Sequence, residues 1–161
     1  MNQPTIIIDT NKILAAILRP GKVRRNLFKY PSPILTPAEA WKEAEKHIEK
    51  LAEKKKIPLS RLRSLLEEIK SEVITTETAR EPFTRKAEEI ASRFDPGDAP
   101  FIALALQHNA PIWTNDHKLI KHSHKTRKYT AIDTEGVELL LEGTPIEKIK
   151  ERMQEKYRDQ I

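Results

Sequence analysis

Four segments of this 161-residue chain each place a carboxylate just past a short apolar run or at the head of a helix. "TIIIDTN" ends its apolar run in Asp9, and "TPAEAW" sets Glu39 in the first turn of the helix after "PIL". "DPGDAPFIALAL" opens an apolar helix with Asp98, Asp95 lying slightly upstream, and "PIWTNDHKL" puts Asp116 two residues past Thr114. Each acid alone has a plain structural reading. Asp9 and Asp116 suit helix caps, and Glu39 and Asp98 suit the positive end of a helix dipole. Four acids in one place are another matter, because like charges that converge repel, and the usual remedies are protonation or a divalent cation. Oxygen-only ligation favours a hard ion, Mg²⁺ or Mn²⁺, held by a few carboxylates and several waters. Such an ion activates water and stabilises an in-line phosphoryl displacement.

Convergence depends on the elements behind these residues. Short, continuous apolar runs at 6–8, 34–35, 73–74, 111–113 and 129–132 read as buried strands, with helical patterns between them. Trp41, Ala44, Ile48, Leu51 and Ala52 share one helical face, and Leu62, Leu65, Leu66, Ile69 and Val73 share another. Val73 is claimed by both a helix and a strand. Pro58 separates the two helices, further helices are expected at 82–93 and 98–107, and Asn109 before Pro111 marks a helix end. Ile146, Ile149, Met153 and Tyr157 form a stripe that either docks on the chain itself or faces a partner. Buried strands alternating with helices predict a three-layer α/β/α sandwich around a short central parallel sheet. In such a sheet ligands bind at the carboxyl ends of the strands, the edge where all four acids fall.

Composition narrows the classes. The length suits one domain over 1–161, and 38% apolar residues supply a core. Lys and Arg number 29 against 24 acids, a net +5 that permits a polyanionic partner without demanding one. The absence of cysteine excludes disulfides, thiolate metal sites and cysteine nucleophiles. Four scattered glycines exclude a Walker or dinucleotide loop, and no nucleophile-elbow sequence occurs. No run reaches membrane-spanning length and no signal-peptide pattern opens the chain, so a cytoplasmic protein with no membrane partner is expected. The Lys-, Glu- and Ile-rich, Cys-free composition leans toward a thermophile.

Taken in order, "IIIDTN", "TPAEAW", "DPGDAPFIALAL" and "IWTNDHKL" resemble the PIN domain, the nuclease fold of VapC-type toxins and related RNA-processing proteins. The resemblance spans residues 5–141. It implies that Asp9, Glu39, Asp98 and Asp116 bind Mg²⁺ or Mn²⁺ and support endoribonuclease catalysis. Asn11 and Thr114 would orient the acids or a water, with Asp95 as a further supporting acid. It also implies an inserted helical segment at about 42–72 and an added C-terminal helix at about 144–157. A toxin would imply a protein antitoxin as partner.

Around this site the sequence offers cations. "DHKLIKHSHKTRKY" brings Lys118, Lys121, Arg127 and Lys128 after Asp116, and "RPGKVRRNLF" brings Lys22, Arg24 and Arg25. Either group is a candidate RNA phosphate contact or a solvated face. Leu27 and Phe28 are expected to pack inward, and Trp41 and Trp113 to belong to the core. The histidines are assigned no ligation. Apolar stripes on the helices at 38–55 and 58–72 suggest a homodimer. A haloacid-dehalogenase-like phosphatase also begins with a strand and Asp, but Asn11 stands where it needs a second acid. The alternative from another class is a PIN-like module that binds RNA or protein without cutting it.

Overall fold

Three consecutive isoleucines form β1 (Ile6–Ile8), buried along its whole length as a strand covered on both faces must be. The computed structural model describes residues 3–158. Beside β1 lie β2 (Ile34–Thr36) and β4 (Ile112–Trp113), with β3 (Thr75–Thr76) and β5 (Ala131–Ile132) outside them. Every pairing is parallel, with Ile6 beside Ile34, Ile7 beside Ile112, Leu35 beside Thr75 and Trp113 beside Ile132. The order β3-β2-β1-β4-β5 winds outward one way from β1, then returns past it the other way. Right-handed crossovers therefore set the two groups of helices on opposite faces. This is the expected α/β/α sandwich with a central parallel sheet.

Helices α1 (Thr10–Leu18), α2 (Lys22–Lys29), α3 (Ala38–Lys55) and α4 (Leu59–Glu68) follow the first two strands. Helices α5 (Phe83–Ser92), α6 (Ala99–His108) and α7 (His117–Thr126) follow β3 and β4. Asn109 ends α6 in the left-handed conformation, φ 49°. After β5 come α8 (Thr134–Leu141) and α9 (Ile146–Tyr157). The Ile149, Met153 and Tyr157 stripe of α9 is buried, with α9 touching α7, α8 and β5, so the tail docks on its own chain and covers an edge strand.

Two sequence expectations shift. The stripe through Leu62, Leu66 and Ile69 ends in a π-helical turn, Ile69–Val73, which takes Val73. Strand pairing begins only at Thr75, two residues later than expected, where Trp41 donates its indole N–H to Thr76 Oγ1 at 2.8 Å. Phe28 is 47% exposed rather than packed inward. Leu27 and Val23, one turn apart, already form the inner stripe of α2, and the next residue lies about 100° round the helix. Both tryptophans are core residues. Most of the α3 and α4 stripes belongs to that same core, with Leu51 and Leu65 only partly covered. Among the described residues no helix is long and apolar enough to cross a membrane.

Candidate active site

The reversal of strand order falls between β1 and β4, and a threonine ties their carboxyl ends together. Asp9 caps α1, its Oδ1 accepting the Lys12 N–H at 2.9 Å. Its other oxygen accepts the hydroxyl of Thr114, a fully buried residue at the end of β4. The same Thr114 oxygen accepts the Asp116 N–H at 3.0 Å. One hydroxyl thus fixes Asp9 through its side chain and Asp116 through its backbone. Asp116 in turn caps α7 with Oδ1, from the N–H groups of Lys118 and Leu119. Capping and site roles coexist, since the cap sets where each carboxylate lies.

Asp98 is the unusual member. Asp95 shapes a 3₁₀ turn, Pro96–Asp98, by accepting the Gly97 N–H at 3.0 Å, and this turn delivers Asp98 to the head of α6. Its Oδ2 is buried and has no hydrogen-bond partner among the described residues. Burial first, then the charges of Asp95, Asp116, Asp9 and Glu43, push its carboxyl up to about 7. Burial likewise raises Asp9 to about 6, against the opposing pull of Thr114 and Lys12, with Asp116 adding to the rise. Asp133, after β5 at the same sheet edge, shows the opposite condition. It accepts from Gly136 N–H, Lys156 Nζ and Tyr157 Oη, and these bonds outweigh its burial and hold it below the usual carboxylate range. A structural acid is satisfied; Asp98 is not.

Residues 7–142 of the chain match the family model of the PIN domain. The chain belongs to the PIN domain family. PIN domains are generally nucleases, and as nucleases they generally use divalent metals. The match ends before α9 begins. No curated protein matches the sequence.

In this PIN domain the donor set fits a hard cation: the converging side chains offer oxygen only, two of them are raised by burial and mutual repulsion, and one buried oxygen is orphaned. Among the described residues no three acidic or imidazole side chains are gathered tightly enough to enclose an ion unaided. Mg²⁺ is commonly held by one or two carboxylates with several waters, for which an open cluster leaves room.

Two acids of α3, Glu39 and Glu43, stand one turn apart, and both are exposed. Glu39 is exposed in the first turn of α3 and lines a cavity of about 150 Å³ with Glu77 and Glu88. The α3 carboxylate that adds to the field on Asp98 is Glu43, one turn later. The i,i+4 spacing of Glu39 and Glu43 was the available signal. Glu43→Gln should lower cleavage at least tenfold, whereas Glu39→Gln should stay within about threefold, a comparison read from single-turnover rates on one RNA. The reverse ranking would return the role to Glu39.

The basic residues are placed apart from one another. Lys118 and Lys121 lie in the first half of α7, near Asp116. Because the segment is helical, its ten residues run about 15 Å and carry Arg127 and Lys128 to the opposite sheet edge. There they line a cavity of about 510 Å³ with His124, Tyr129 and Lys150. Arg24 donates to the carbonyls of Ala16 and Ile17 at 2.7 and 3.0 Å, closing the far end of α1. Lys22 pairs with Glu138, and Arg25 reaches the Pro20 carbonyl. Asn11 is exposed in the first turn of α1. Of the seven cations read as RNA contacts, only Lys118 and Lys121 share an edge with the acids.

Proposed function

We propose that this PIN domain is a Mg²⁺- or Mn²⁺-dependent endoribonuclease that hydrolyses RNA phosphodiester bonds. The observation that carries the reading is Asp98, a carboxylate with a buried, unpartnered oxygen in the field of four other acids. None of the described residues uses that oxygen, and keeping it there costs stability unless a ligand meets it. Asp9, Asp98 and Asp116, with an α3 carboxylate (Glu39 on family likeness, or Glu43 one turn later), would hold the ion. When bound, Mg²⁺ or Mn²⁺ supplies neutralisation of these acids, an activated water and stabilisation of charge on the leaving oxygen. Thr114 keeps Asp9 and Asp116 at fixed positions, and Asp95 holds the turn that presents Asp98. Lys118 and Lys121 would meet substrate phosphates, which gives affinity without sequence information. Products carry 5′-phosphate and 3′-hydroxyl ends.

Residues 1–161 would form one such domain, with the helical segment 42–72 and the helix 144–157 as additions. A role as the toxin of a VapBC-type pair, with a protein antitoxin and a homodimer, belongs to the same proposal on family likeness. The test is cleavage of end-labelled single-stranded RNA with Mg²⁺ or Mn²⁺, with and without EDTA. Cutting should stop on chelation and return with excess ion. Cleavage undiminished by EDTA would sink the oxygen-ligated site.

A further inference from the structure

Lys12 lies in the first turn of α1 and is only 5% exposed, a rare state for a lysine. Its side chain runs along the carboxyl edge of the sheet to Thr134 at the head of α8, with Nζ 3.1 Å from Oγ1. The Trp113 indole donates to that same oxygen, also at 3.1 Å. Among the described residues Lys12 makes no ion pair. Asp9 and Asp133 act on its ammonium at longer range.

An ammonium buried against one neutral acceptor is costly, and packing alone would be served better by an apolar side chain of the same length. Its charge must therefore answer something nearby. Asp133 does not need it, being satisfied by Lys156, Tyr157 and the Gly136 N–H. The remaining neighbour is Asp9, the edge of a cluster with Asp98, Asp116, Asp95 and Glu43. Lys12 is the cation whose charge acts on Asp9, and the charges acting on Asp98 are all acids.

We propose that Lys12 is a resident counter-charge of the acid cluster, a positioning residue that weakens and so sets the affinity of the site for its divalent ion. This rests on the metal-binding part of the proposed function. A lysine stays in place while a divalent ion exchanges, so part of the cluster remains compensated when the ion leaves. Its positive charge also repels the incoming ion. At this range, in a partly hydrated site, that repulsion amounts to roughly tenfold in affinity.

The experiment is calorimetric titration of Mn²⁺ into the metal-free full chain at about pH 8, for wild type, Lys12→Met and Lys12→Gln. Methionine matches the length without the charge, and glutamine keeps a donor for Thr134, so at least one variant should fold, as circular dichroism will show. Either should bind Mn²⁺ about tenfold more tightly than wild type. Binding by wild type with equal or weaker binding by the variants overturns the inference and leaves the acid site standing. No Mn²⁺ binding by any of the three overturns both.

Discussion

Asp98→Asn should abolish RNA cleavage and, in EDTA at about pH 8, raise the melting temperature. The two effects have one origin. Asp98 is held partly buried among Asp9, Asp95, Asp116 and Glu43, with one oxygen unpartnered, so its ionised form opposes folding. Each pKa unit corresponds to about 1.4 kcal/mol, and part of the rise to about 7 relaxes through water at the open side of the site. About 2 kcal/mol relieved, at roughly 2–4 °C per kcal/mol for a chain of this size, gives a gain of several degrees. Cleavage should fall at least 100-fold, since removing one preorganised charge from such a site commonly costs that much. Scanning calorimetry beside a cleavage assay reads both. A variant that melts lower than wild type in EDTA would mark Asp98 as structural, and a variant that still cuts would place the chemistry elsewhere. Asp9→Asn should show the same pairing with a smaller gain in melting temperature, because Asp9 is raised less, to about 6, while asparagine still caps α1 and accepts from Thr114.

The parts of this architecture that could be read in the sequence share one property: their signal is local. Ile6–Ile8, Ile34–Thr36 and Ile112–Trp113 are apolar because both faces are covered, and each announces its own carboxyl end. Asp9 and Asp116 follow directly from those ends. Thr75–Thr76 could not be read that way, since it is exposed, polar and paired by backbone to β2 alone. Glu43 could not be singled out in the sequence, because its effect on Asp98 acts between separate elements and the i,i+4 spacing leaves both α3 acids open. Lys12 was hidden among the apolar residues of α1, where a lysine reads as solvent-facing, because Thr134 lies 122 residues away. Arg24 and Arg127 show the converse. Each stands near a motif in sequence, and one intervening helix, α1 or α7, carries it away from the acids.

In the absence of metal, stability should be greatest near pH 4 and fall on both sides, for reasons that separate the two kinds of acid at this edge. Asp9 and Asp98 have folded values raised to about 6 and about 7. Their contribution is fully present below the unfolded carboxylate value near 4 and is lost as pH rises through 6 and then 7. Asp133 is held low by Lys156, Tyr157 and Gly136, so its contribution is present above about 4 and is lost as pH falls through its folded value. The alkaline limb should amount to about 2–4 kcal/mol, because Asp9 and Asp98 repel one another and do not add fully. Added Mn²⁺ should lift it, by about 2.7 kcal/mol at one hundred times the dissociation constant, and should do little at pH 5, where protons already neutralise the cluster. Melting curves from pH 3 to 8, with EDTA or Mn²⁺, measure all of this. Asp98→Asn should flatten the alkaline limb and spare the acid one, whereas Tyr157→Phe should weaken only the acid limb by removing a donor to Asp133. Equal Mn²⁺ shifts at pH 5 and 8 would show that the ion binds away from Asp9 and Asp98.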